Sequence, residues 1–200
     1  MGAALRHFPF RAMEEPHSCG PAALGSALEY AGRLPAGGLA ELERLWRFRR
    51  GSDRTDTPGH HVRVLRALGV PYAIRSGLSL SDLERALARD IPVVALVATG
   101  RLLRHWVVVT GVVEDSVSVA WGDGPAAREI TRPAFEAAFA GGLLDVFLGT
   151  RRLAYAVGDG APWASSKLLE LCFRLQRPLA EHLVVPAIEL RWLSRLRRRA

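Results

Sequence analysis

Two hundred residues, 49% hydrophobic and 24% charged, suit one domain with a small appendage and exclude bulk disorder. The formal net charge of +7 is uneven: residues 1–150 carry 17 Lys/Arg against 16 Asp/Glu, and residues 151–200 carry 10 against 4. The main domain therefore has no basic footprint for nucleic acid. The start of the chain lacks a signal-peptide pattern and no run of about eighteen apolar residues occurs, which predicts a soluble, cytoplasmic protein.

In chain order, Ser18-Cys-Gly-Pro-Ala-Ala-Leu24 opens a helix, with Ser18 as N-cap, Pro21 in the first turn and Leu24, Ala27, Leu28 and Ala31 as one apolar stripe; Gly32 ends it. A second helix is expected over 39–49. A polar loop over 51–59 leads to a helix over 60–68, closed by Gly69, and then to a short strand over 70–74. Ser79 and Ser81 both resemble caps for a helix over 82–89, with Glu84 completing a capping box from Ser81. The period then changes. Residues 91–97 read as a buried strand. Residues 105–113 are almost continuously apolar, turn at Glu114-Asp115 and return over 116–121 as a β-hairpin through the middle of a sheet. A strand over 128–131 precedes a helix over 133–140. Helices first and an antiparallel sheet later make an α+β layout whose two halves face each other. Gly158-Asp-Gly-Ala-Pro162 reads as a boundary, giving a domain over 1–157 and a helical extension over 158–200. At the end of that extension Ile188, Trp192 and Leu196 share one face among arginines. Residues 179–200 either pack on the domain or meet an anionic membrane surface or a protein partner.

The two cysteines, Cys19 and Cys172, read as separate thiols rather than a disulfide, and neither stands in a C-x-x-C or Cys/His cluster, so no metal site is expected. Cys172 falls on an apolar helical face and reads as core. Cys19 stands in the first turn of a helix, where main-chain N–H groups and the helix dipole favour a thiolate, and Gly20 leaves the approach to the sulfur open. The alternative is a small buried hydrophobe. His105 opens the strand His-Trp-Val-Val-Val-Thr-Gly111, far from Cys19 in sequence as a catalytic pair of this kind is. Its alternative is a histidine that caps a strand through the backbone. His60 and His61, after Pro58-Gly59, are expected in solvent; His17, close to the thiol, lines a cleft; His7 and His182 have no context.

Residues 7–140 resemble the papain-like peptidases that cut double-glycine leader peptides from bacteriocins, including the stand-alone members. The resemblance is carried by HFPFRAMEEPHSCGPAALGSALEYAGR, TPGHHVRVLRALGV, LSDLERALARDIPVVALVATG, HWVVVTGVVEDSVSVAWGDG and ITRPAFEAAFAGG. It implies a papain-like fold in which the Cys helix packs on an antiparallel sheet. It also implies Cys19 as nucleophile, His105 as general base, a peptide or leader substrate, and no metal or organic cofactor. Two positions depart from the family. Six residues before the cysteine the family has a Gln whose amide binds the oxyanion; here Met13 stands there, leaving the Cys19 N–H and His17 as donors, with Gly20 and Trp106 lining the site. The family's orienting Asp aligns with Trp121, and Asp123, two residues on, is the candidate for holding the His105 ring. Other readings stay open: a degenerate member that binds a peptide, an acyl transferase on the same scaffold, and a membrane or scaffold protein governed by its tail.

Overall fold

The structure is a computed structural model that describes residues 2–13, 18–34, 38, 40–42, 57–100, 103–141 and 150–171. Its sheet runs β2 (Tyr72–Arg75), β7 (Ala154–Val157), β3 (Val93–Ala98), β4 (Arg104–Val112), β5 (Ser116–Ala120), β6 (Arg128–Thr131). Every junction is antiparallel, and β1 (Ala3–Ala4) pairs with β4 beyond the end of β3. The hairpin β4–β5 forms where the sequence predicts it.

Helices cover both faces of this sheet. The helices α1 (Cys19–Tyr30) and α2 (Pro58–Ala67) bury Leu24, Ala27, Leu28, Val64 and Leu65 against Val94, Leu96, Trp106, Val108 and Tyr155. On the other face, α3 (Leu80–Leu87) and α4 (Arg132–Ala140) bury Leu83, Leu87, Phe135 and Phe139 against Val93, Ala95, Val107, Val109 and Val119. A strand covered on both faces has no polar alternation to keep, which is why 106–109 reads as an unbroken apolar run. The ladder between β4 and β5 shifts register between Val109 and Gly111. That irregularity lets Val109 and Val112 face the same core despite an odd separation.

Local boundaries differ from the expected ones in instructive ways. The helix of Cys19 begins at that residue with Ser18 at the N-cap position, but the Ser18 hydroxyl does not cap the turn because ψ is 24° rather than extended. At its other end Gly32 (φ +62°) lets Arg33 N–H reach back to the Leu28 carbonyl at 2.8 Å. The capping box of α3 belongs to Ser79 and Asp82 rather than Ser81 and Glu84: Ser79 N–H donates to the Asp82 carboxylate at 2.7 Å and Ser79 Oγ accepts from Asp82 N–H at 3.3 Å. Glu84 is engaged by Arg132 of α4 at 2.9 Å. Ser79→Ala is therefore expected to cost about 1 kcal/mol in a urea denaturation and Ser81→Ala only a few tenths; equal effects would restore the other assignment.

The helix expected over 39–49 is described only at residues 38 and 40–42, which are helical. Past Gly158 the chain stays docked: Trp163 is buried and its indole N–H donates to the Ala73 carbonyl at 3.0 Å, while Ser166 N–H bonds the Ile74 carbonyl at 2.8 Å. Helix is described over 167–171, whereas Cys172 and the basic segment 179–200 lie outside the described residues. Among the described residues no helix is long and apolar enough to cross a membrane.

Candidate active site

Cys19 is carried to the sheet by the N-terminus of α1, whose buried stripe fixes the helix over β4. The thiol is half-buried and in no disulfide. Around it a crevice too narrow to admit a water is lined by Arg11, Ala22, Ala23, Ser26, Trp106, Ala120, Trp121 and Gly122. Gly20 behind it is buried. The expected substrate-lining residue Trp106 is 1% exposed and forms the floor of this crevice rather than an open wall.

Strand pleating sends Trp106 and Val108 toward α1, and Val107 and Val109 toward the opposite core. His105 is on the register of Val107, but it stands near the first residue of the strand, at the end of the sheet where α1 begins. It is half-buried, and its ring stacks on Trp121 at 4.8 Å between centroids and 27° between planes. Trp121 thus lines the crevice of Cys19 and also stacks on the His105 ring.

The ring is held by the main chain. His105 Nε2 lies 2.6 Å from the Trp121 carbonyl oxygen. A carbonyl only accepts, so Nε2 carries the proton and Nδ1 keeps the lone pair. Asp123, the expected orienting acid, makes its ion pair with Arg128 instead. Arg128 also lies 4.9 Å from the centre of the Trp121 ring. Burial holds the His105 pKa below the usual 6.5; the bond to the Trp121 carbonyl and the field of Asp123 oppose that shift, and Arg128 adds to it.

Met13 stands beside these groups. Its N–H donates to the Gly122 carbonyl at 2.7 Å, and its side chain covers Gly122, where an added Cβ would come within 3.0 Å of Met13 Cγ. His17, expected to line the cleft, lies outside the described residues. His60 and His61 are not in solvent: they are 1% and 0% exposed. The helix begins at Pro58, two residues earlier than expected, and His61, Val64 and Leu65 then form one stripe toward the sheet. His61 packs on Trp106 with ring centres 4.1 Å apart and planes tilted by 39°, and its Nδ1 lies 2.5 Å from the Tyr155 hydroxyl. The spacing of that stripe, visible in the sequence, was the available signal. Among the described residues no cluster of His, Cys, Asp and Glu suits a metal ion.

Similarity to solved structures bears on the fold. The chain superposes on the peptidase domain of Streptococcus ComA, a bi-functional ABC transporter involved in a quorum sensing pathway, with a TM-score of 0.58 and 18% identity over 77% of this chain and 100% of that one. It superposes equally on a C39-like peptidase candidate from Bacillus anthracis, with a TM-score of 0.58 and 16% identity over 80% of this chain and 99% of that one. No protein-family model and no curated protein matches the sequence. At such identities the likeness is one of fold: this chain has the α+β architecture of C39 peptidase domains.

Proposed function

We propose that the protein is a cysteine peptidase acting on a peptide or leader-type precursor, with Cys19 as nucleophile and His105 as base. The observation that carries the reading is the position of Cys19, at the first residue of α1 in a crevice that Trp121 shares with an imidazole of defined tautomer. The fold neighbours, both named as peptidases, are compatible with it.

The chemistry needs only this chain. Proton transfer from Cys19 to His105 Nδ1 gives the thiolate, which attacks the scissile carbonyl carbon while the positive end of α1 stabilises the oxyanion. Collapse breaks the C–N bond and the His105 imidazolium protonates the leaving amine. Water, deprotonated by His105, then attacks the thioester, releases the carboxylic acid and restores the thiol. The Cys19–His105 hydrogen bond need close only when substrate is bound, since catalytic hydrogen bonds often tighten only in the complex.

A second reading is favoured by Met13, whose thioether lies against Gly122 where the family's amide donor belongs. Loss of one oxyanion donor costs about 10²–10³ in rate, enough to turn a peptidase into a slow enzyme or a peptide-binding module. A degenerate peptide library separates the two. The peptidase reading expects new peptide termini by mass spectrometry with the wild type and none with Cys19→Ala. Retention of intact peptides by both proteins, with binding undiminished in Cys19→Ala, establishes the binding module.

A further inference from the structure

We propose that His105 is positioned by Trp121, through its main-chain carbonyl and its indole face, in place of a side-chain acid. Three observations converge. The Nε2 of His105 is 2.6 Å from the Trp121 carbonyl oxygen, and the ring plane lies against the indole at 4.8 Å. The carboxylate that sequence reasoning assigned to this task, Asp123, is engaged by Arg128. The peptide unit bearing the carbonyl is fixed on its far side: Gly122 holds φ +87°, a conformation that costs a side-chain-bearing residue, and its carbonyl is bonded by Met13 N–H at 2.7 Å. Met13 is then a clamp rather than an oxyanion ligand. Its backbone pins the turn and its side chain occupies the space a Cβ at residue 122 requires.

The arrangement has a definite chemical consequence. An acceptor that cannot donate selects one tautomer, so Nδ1 is the nitrogen available to the thiol. Unlike a carboxylate, the carbonyl offers a dipole and no full charge to an imidazolium. The stack restricts rotation of the ring about its Cβ–Cγ bond. What Nδ1 does next rests on the peptidase reading; which nitrogen bears the proton does not.

Two-bond proton–nitrogen correlation spectra of the ¹⁵N-histidine-labelled protein at pH 8, with the His105 signals assigned by their loss in His105→Ala, read the tautomer directly. The expected result is Nε2–H in the wild type and in Asp123→Asn, with iodoacetamide alkylation of Cys19 changed by no more than about threefold in that variant, whereas loss of a true orienting acid costs about 10⁴ in a serine hydrolase. Gly122→Ala is expected to mix the tautomers and slow alkylation by about tenfold or more, since off-geometry bases lose general-base efficiency of this order. Trp121→Ala keeps the carbonyl and should keep the tautomer while broadening the ring signals. An Nδ1–H tautomer in the wild type overturns the proposal, as does an Asp123→Asn variant that changes tautomer and loses about a hundredfold or more in alkylation. An Nε2–H tautomer beside an unreactive Cys19 upholds the positioning and removes the peptidase reading, so the two fail separately.

Discussion

Alanine at position 105 is expected to slow alkylation of Cys19 by about 10²-fold near neutral pH, the lower part of the range for removal of a general base. Cys172 supplies an internal reference in the same sample, and its rate should not move. The pH dependence follows from the environment of the ring. Burial disfavours the imidazolium, so His105 stays neutral, and competent as a base, to lower pH than an ordinary histidine with its value of 6.5. Its titration midpoint by NMR should lie below that figure. Asp123→Asn removes a charge that favours the imidazolium and should move the midpoint further down. Arg128→Gln removes a charge that opposes it and should move the midpoint up. A midpoint above 6.5 contradicts burial as the dominant influence on this ring, and equal alkylation of Cys19 with and without His105 excludes the pairing.

The second large effect concerns stability rather than chemistry. His61 is fully buried against Trp106 and Tyr155, and burial, reinforced by the neighbouring His60, holds its pKa well below 6.5. The sign is that of a histidine with a depressed folded-state value. Below pH 6.5 the unfolded chain binds a proton at this position that the folded chain refuses, so stability is complete above 6.5 and falls as pH drops. One such group removes about 1.4 kcal/mol per pH unit until the folded-state pKa is reached. Urea titrations at pH 7, 6 and 5 should therefore give a falling free energy of unfolding. His61→Gln, whatever its baseline, should flatten the slope between pH 6 and 5 by up to about 1.4 kcal/mol per unit, corresponding to one proton. His105 contributes in the same direction but is only half-buried, so His105→Ala should flatten it less. Parallel slopes for wild type and His61→Gln contradict the burial of a neutral ring.

This buried row also bears on the site. Trp106 forms the floor of the crevice at Cys19 and packs on His61 and on the edge of Tyr155 at 5.8 Å. Protonation of His61 would place a charge in the apolar packing behind that floor, so acid should loosen the wall of the crevice before the opposite core of Phe135 and Phe139, which lies on the far side of the sheet.

What could be read in the amino-acid order was whatever is local. The Cys19 helix, the β4–β5 hairpin with its turn at Glu114-Asp115, β6 and the helix after it follow from periods, glycines and caps within a few residues. Non-local features were missed. β7 is only Ala154-Tyr-Ala-Val157, too short to show a period of its own, and belongs to the sheet because β2 and β3 flank it. Coverage of both sheet faces is a property of the assembled layers, and so is the burial of His60 and His61. The capping box was misassigned by two residues because Ser79 and Ser81 offer similar spacings, and the pairing of Glu84 with Arg132, 48 residues away, decides between them. At the candidate site, residue type and context are what single out Cys19 and His105 in the sequence. The acceptor at Nε2 is not singled out in this way, because a main-chain carbonyl is carried by every residue, and Asp123 drew attention only as the nearest carboxylate.

The claim on which the rest depends is that one thiol is activated by one imidazole, and 4-nitrophenyl acetate tests it without knowledge of the substrate. Wild-type protein should release a burst of nitrophenolate of about one equivalent, carry a hydroxylamine-labile acetyl group on Cys19 after acid quench, and then lose it by hydrolysis; Cys19→Ala and His105→Ala should show no burst. Acetylation shared evenly between Cys19 and Cys172, or a burst of full size in His105→Ala, would contradict the pairing and leave the chain with the architecture of a peptidase alone.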